Sequence, residues 1–265
     1  ALALLDRAPL DVRRNTLKPP VELPQPGEPV SAPNGLRFPP GTPVEQWDAY
    51  RAGAIEVQDA GSQIACLAVS AGPGETVIDL CAGAGGKTLA LAAAMEDRGV
   101  LVASDTDRAR LSRLGPRAAR ADVSIARTIL LDPGKEPEAL ADFAGQADRV
   151  LIDAPCSGTG TWRRKPEARW RLTERELERF AATQDRLLDI AAQLVRPGGT
   201  LTFVTCSLLD EEGADRIAAF LSRQPEWQTR LRDLPAGTPR GDGVRLTPWQ
   251  DGTDGFFFAT LAAPC

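Results

Sequence analysis

The sequence predicts a doubly wound α/β fold, a mainly parallel sheet covered by helices on both faces. From about residue 60, short apolar runs rich in β-branched residues alternate with helix-like segments, the pattern of parallel strands joined by helical crossovers. The run at 76–81 leads straight into a glycine-rich turn and then a helical segment. A long segment at 173–195 carries a capping signal, helical apolar spacing and a Pro-Gly-Gly stop.

In order along the chain, residues 1–55 form a small proline-rich leading subdomain. Nine prolines between Pro19 and Pro43 forbid long helices and leave irregular connections or short edge strands. Residues 56–265 form the main domain. Its strands are expected at 76–81, 99–105, 124–130, 149–155, 200–206 and, last, 255–262. Helices are expected at 87–95, 107–120, 173–195 and 210–223. In the third of these, Thr173 and Glu176 make a capping box, and Leu177, Phe180, Ala181, Leu188, Ala191, Leu194 and Val195 recur at helical spacing.

Composition narrows the chemistry. The 265 residues are 43% hydrophobic and contain five cysteines and no histidine, with a mean hydropathy of −0.20. The odd cysteine count without a C-x-x-C pair argues against a zinc site or a disulfide framework and for reduced thiols in a cytoplasmic enzyme. Every Ser-His or Cys-His pair is excluded. No apolar run approaches a membrane span, and a monomer without metal is expected. The net charge of −5 lacks an overall basic footprint. Locally, however, 162–171 gathers Arg163, Arg164, Lys165, Arg169 and Arg171 with Trp162 and Trp170 interleaved, and a smaller cluster holds Arg13, Arg14 and Lys18. Each is either a solvated face or a set of phosphate contacts.

The turn CAGAGGK comprises Cys81, Ala82, Gly83, Ala84, Gly85, Gly86 and Lys87. Between strand and helix it lets backbone N–H groups approach a ligand. A phosphate loop would need glycine at Cys81, and a dinucleotide fingerprint would need it at Thr88. An adenosyl-amino-acid ligand fits better, with Asp105 at the end of the second strand placed to grip a ribose diol. Asp105 could instead cap the following helix, and Asp79 could organise the loop.

DAPCSGTG (153–160) and TCS (205–207) end the fourth and fifth strands. Adjacent parallel strands end on the same edge of the sheet, so Cys156 and Cys206 are expected close together and close to the glycine turn. A lone buried cysteine is usually packing; two at neighbouring strand ends suit cytosine C5 methylation. A thiolate adding to carbon 6 makes carbon 5 nucleophilic toward a sulfonium methyl. Asp153 would then donate a proton at ring N3, a role that requires a raised pKa.

Taken together, DLCAGAGGKT, LLDP, LIDAPCSGTG, WRRKPEARW and VTCSLLDEEG resemble the Fmu/Sun-type, RsmB-like RNA cytosine-C5 methyltransferases. RRNTLK, VQDAGSQ and DGFFFA extend the resemblance over nearly the whole chain. The resemblance implies a class I (Rossmann-like) methyltransferase fold using S-adenosyl-L-methionine. It implies Cys206 as the nucleophile and Cys156 as the residue that assists adduct breakdown. Cys81 to Lys87, Asp105, Asp132 and Asp153 would bind cofactor or target base, and Arg163, Arg164 and Lys165 would contact RNA. Ala84 departs from the proline common in this loop. Relatives often carry an additional N-terminal RNA-binding domain that is not recognisable here, leaving RNA affinity to residues 1–60, the 162–171 segment or a partner. Ribosomal RNA is the expected substrate and transfer RNA the alternative. A DNA enzyme using Cys156, a nicotinamide oxidoreductase and a non-catalytic ribosome-assembly factor are the rival readings.

Overall fold

The computed structural model describes residues 2–230 and 232–265. In chain order its elements are β1 (Leu10–Arg14), β2 (Glu28–Pro29), β3 (Gly35–Phe38), α1 (Asp48–Arg51), β4 (Ile55–Val57), α2 (Ala60–Val69), β5 (Thr76–Asp79), α3 (Gly86–Ala94) and β6 (Val100–Asp105). They continue with α4 (Arg108–Leu111), α5 (Leu114–Arg120), β7 (Ala126–Leu130), α6 (Glu136–Ala139), β8 (Ala147–Asp153), α7 (Glu174–Leu194) and β9 (Val195–Thr205). The chain closes with α8 (Ala214–Arg223), β10 (Gln228–Thr229), β11 (Thr238–Arg240), β12 (Gly243–Leu246) and β13 (Phe256–Ala262).

The main sheet runs β11-β12-β13-β9-β8-β5-β6-β7, with β10 paired to β13. Strands β9, β8, β5, β6 and β7 are parallel, and β13 returns antiparallel against β9. Consecutive residues in each strand face opposite sides. Val77, Leu101, Leu151 and Val204 therefore join α2, α3 and α5 in one apolar cluster. Their neighbours Ile78, Val102, Val150, Ile152 and Phe203 join α7 and α8 in the other. Both faces are buried, as the doubly wound class requires. After β5 the chain winds outward through β6 and β7, then returns to the other side of β5 for β8. The crevice at the carboxyl ends of β5 and β8 is thus a topological switch point, where ligands bind in open α/β sheets.

Several expectations are corrected. The helix expected at 107–120 is broken into α4 and α5, because Pro116 lacks the N–H that would bond to Ser112. The capping box of α7 forms as expected, but Leu177, Phe180 and Ala181 are only half-buried and the sealed face starts at Gln184. That helix stops at Leu194, ahead of the Pro-Gly-Gly, because β9 starts at once with Val195. The 210–223 segment begins as a 3-10 turn before α8.

The leading region is more ordered than its prolines suggested. A second, antiparallel sheet runs β2-β3-β1-β4. Val12, Leu36, Phe38, Trp47 and Ile55 form its own core, with the Phe38 and Trp47 rings edge to face at 5.1 Å. Most of the prolines lie in its connections, and Pro29 lies on the edge strand β2, where a missing N–H is tolerated. Polar side chains join this sheet to the main one. Asn15, 6% exposed, donates through Nδ2 to the carbonyls of Gly53 and Ala121, both at 2.9 Å, and its Oδ1 accepts from Leu17 N–H at 3.1 Å. Glu56 pairs with Arg117 at 2.9 Å and with Arg120. Among the described residues no helix is long and apolar enough to cross a membrane.

Asn15→Ala removes a clamp and leaves two buried carbonyls without a donor. The expected cost is about 2–4 kcal/mol, measured as a lowered urea midpoint with little change in slope.

Candidate active site

The crevice at the switch point contains a cavity of about 360 Å³. Strand β5 brings Leu80 and Cys81 to it, β6 brings Asp105, β8 brings Asp153 and Cys156, and β9 brings Cys206. Leu131, Glu136 and Leu187 form its far wall.

The glycine turn is held from several sides. Gly83 N–H donates to Asp105 Oδ2 and Asp107 N–H to Oδ1, both at 2.7 Å. The helix-capping alternative for Asp105 falls instead to Asp107, whose side chain accepts from Arg110 N–H at 3.0 Å. Each Asp105 oxygen keeps a lone pair for a ligand. Gly85 has φ +84°, and a side chain there would drive into Leu114, so the turn closes tightly on α5. The Ala84 carbonyl accepts from Arg117 Nη1 at 2.6 Å, and Arg117 also grips Glu56. The leading sheet thereby supports the turn from behind, through two residues that the motifs gave no sign of.

Behind the turn, Asp79 is fully buried and its Oδ2 accepts from the Thr88 hydroxyl at 2.7 Å. Its Oδ1 has no partner. Burial pushes the Asp79 carboxyl up to about 7, against the Thr88 hydrogen bond that favours the charged form. Asp79 is therefore a loop organiser. Lys87, only 9% exposed, points forward rather than into the turn, with its Nζ 2.7 Å from Asp153 Oδ2 and 5.6 Å from the centre of the Phe256 ring. Burial alone would lower the Lys87 pKa, but the Asp153 carboxylate together with Cys66 and Cys206 turns the net shift upward.

Cys156 and Cys206 lie with their sulfurs 3.4 Å apart, at the ends of paired parallel strands whose register sets Asp153 beside Val204. The hydrogen bond from Cys156 lowers the Cys206 pKa; burial and the Asp153 carboxylate oppose it, and the Lys87 charge offsets part of that opposition. The same bond, with burial, pushes the Cys156 thiol up. Burial also raises Cys81. Of the three sulfurs, Cys206 is the one shifted toward thiolate, the nucleophilic form. Glu212 is buried behind the pair; it accepts Ser157 N–H at 2.8 Å and the Ser157 hydroxyl. The Cys206 carbonyl accepts Gly160 N–H at 3.0 Å. The two cysteine loops are thus fixed to one another by Glu212 and Gly160, another pairing across long sequence separation.

Two groups of expected site residues sit differently. Asp132 is exposed and does not line the cavity; Glu136, four residues on, does. Glu136 is buried, bound through Oε2 to Arg186 at 2.6 Å and to Gly134 N–H at 2.8 Å, while its Oε1 has no partner. In the basic segment, Arg163 and Arg164 are committed to carboxylates. Arg163 Nε lies 2.6 Å from Asp254, Arg164 Nη2 lies 3.0 Å from Asp59, and Arg164 also pairs with Asp254. Lys165 and Trp170 are exposed. The expected phosphate contacts at Arg163 and Arg164 are therefore corrected to internal ion pairs that tie the segment to α2 and β13.

A family model for 16S rRNA methyltransferase RsmB/F matches residues 66–262. The ribosomal RNA small subunit methyltransferase B of Citrobacter koseri is 37% identical over 238 residues, 89% of this chain and 53% of that protein. The chain thus spans about half the length of the curated relatives it matches. A methyltransferase homolog protein from Pyrococcus horikoshii superposes with a TM-score of 0.86 at 26% identity, covering 99% of this chain and 88% of that one. NSun6 from Pyrococcus horikoshii, solved with SFG, gives 0.73 at 25% identity over 83% of this chain and 56% of that one. These neighbours bear out the expected fold class.

Two predictions follow from the titrating groups. In Cys156→Ala, the pH profile of Cys206 alkylation by iodoacetamide moves to higher pH, because the donor that lowers it is gone. Asp79 binds its proton more tightly folded than unfolded, so stability falls as pH rises from about 4 to about 7. Asp79→Asn keeps an acceptor for Thr88, flattens that slope and raises stability at pH 8 by an amount on the order of a few kcal/mol, read by thermal unfolding across the window.

Proposed function

This chain belongs to the 16S rRNA methyltransferase RsmB/F family, and we propose that it methylates carbon 5 of a cytosine in ribosomal RNA, with S-adenosylmethionine as methyl donor and Cys206 as nucleophile. The observation that carries the proposal is the sulfur pair, 3.4 Å apart, facing the crevice between the glycine turn and Asp153.

The residues present fit the cofactor. Glu136 Oε1 is an orphaned acceptor on the far wall beside Leu131 and Leu187, suited to an adenine amino group between apolar faces. Asp105 is suited to a ribose diol and the turn to the amino-acid end; Asp132 remains proposed as an outer contact. When bound, S-adenosylmethionine supplies an electrophilic sulfonium methyl group.

The chain's own residues prepare the base. Cys206 adds as thiolate to carbon 6, forming the C–S bond and pushing electron density to carbon 5, which takes the methyl group. Loss of the carbon-5 proton then re-forms the ring double bond and releases Cys206, and Cys156 assists this step. Asp153 was expected to protonate N3. Its 2.7 Å contact with Lys87 Nζ supports a second role. Asp153 then faces the base as an acceptor for the cytosine amino group, with Lys87 as the nearby positive charge. Lys165, Arg169 and Arg171 are proposed to contact phosphates, and Trp170, 81% exposed, to stack on a base. The proposed place of this work is the cytoplasm.

Cys206→Ala is expected to lower methyl transfer by on the order of a thousandfold or more. Cys156→Ala is expected to accumulate a covalent protein–RNA complex, visible on a denaturing gel. An active Cys206→Ala beside a dead Cys156→Ala would overturn the assignment. Bisulfite mapping of RNA from a deletion strain, complemented with wild type or Cys206→Ala, identifies the substrate cytosine.

A further inference from the structure

A second cavity, of about 260 Å³, opens between β1, α2 and the end of α3. Arg13 reaches it from β1 and is 7% exposed. Its Nε donates to the neutral Gln58 Oε1 at 2.8 Å. Among the described residues neither Nη has an acceptor and no carboxylate pairs with it, whereas Arg37, Arg117 and Arg163 are each matched to an acid. Glu56 stands opposite Arg13 in the β1–β4 register and lends it charge, but its oxygens are taken by Arg117 and Arg120. Beside it, Gln63 is 4% exposed and uses its Nε2 on the Gln58 and Val12 carbonyls at 2.9 and 3.3 Å. Its Oε1 has no partner. Gly35 stands opposite Arg13 in the β1–β3 register, and a Cβ there would lie 2.3 Å from Val30 Cγ2 and 2.9 Å from that oxygen, so only glycine fits between them. Ala90, Ala93 and Ala94 line the cavity from α3.

The polar groups specify a ligand edge. The two free Nη groups of Arg13 call for two adjacent acceptors, and Gln63 Oε1 calls for a donor beside them. A bare phosphate would set an anion against that oxygen. Guanine offers N7 and O6 to an arginine fork, with the N1–H next in line, and apolar alanines suit the faces of a purine ring. The adjoining cavity, which shares Thr16 and Asn34, is lined by Arg14 and Lys18; Lys18 is paired to Asp122 at 2.6 Å, leaving Arg14 for a phosphate.

We propose that this cavity is a docking site for an unpaired guanine of the RNA, held by Arg13 and Gln63, with the adjoining phosphate on Arg14. The proposal rests on the RNA-directed reading above, at a site separate from the sulfur pair.

The test is fluorescence anisotropy of the full chain with short oligoadenylate RNAs carrying one central guanosine, uridine or adenosine. The guanosine RNA is expected to bind about tenfold more tightly than the others. Ala94→Leu, which fills the cavity from α3, and Arg13→Lys, which keeps the charge but loses the fork, should both abolish that preference. Ala94→Leu should leave methyl transfer to a guanine-free cytosine RNA unchanged. Equal binding of the three RNAs, or a preference that survives Ala94→Leu, would overturn the site. Loss of methyl transfer to every RNA with the guanosine preference intact would overturn the activity reading and not this one.

Discussion

The ion pair between Lys87 and Asp153 is the contact on which the site's arrangement depends. A buried ammonium is tolerated only with a counter-charge in place, so Lys87 fixes the start of α3, and with it the glycine turn, against the end of β8. Both charges of the pair are felt at Cys206, where Asp153 disfavours the thiolate and Lys87 partly offsets it. One interaction therefore joins the cofactor side of the crevice to the nucleophile side. Either residue alone would be an unpaired charge, and the turn and the sulfur pair would lose their common reference point.

Around that pair the sheet supplies direction and the side chains supply spacing. The switch between β5 and β8 opens a crevice at one edge, and every strand that contributes chemistry ends there. Glu212 then holds the Ser157 loop against the segment after β9, and the Gly160–Cys206 backbone bond closes the same gap. Placement by rigid elements, with loops fixed by buried hydrogen bonds, is what keeps two sulfurs in contact without a covalent link.

Much of this was legible in the sequence. Alternation of apolar residues marked the parallel strands because each strand feeds two cores, and adjacent strand ends were enough to bring Cys156 and Cys206 together. Helix α2 escaped because it is buried on nearly every side, which erases the periodic signal an amphipathic helix would show. The leading sheet escaped because its strands are short and separated by prolines. The ion pairs of Arg163 and Arg164 with Asp59 and Asp254 escaped for a different reason: the partners lie about a hundred residues away in either direction, and local charge counting sees the cations without the acids. Asp132 and Glu136 show the limit at the finest scale, since a turn of four residues decided which carboxylate faces the cavity.

The Arg117 bridge has a thermodynamic corollary. Its guanidinium holds Glu56 of the leading sheet with one arm and the Ala84 carbonyl of the glycine turn with the other. Free-energy coupling between two sites is reciprocal. Whatever order in the leading sheet adds to ligand affinity at the turn, a ligand at the turn returns to the leading sheet, through a fixed contact and without any hinge or moving part.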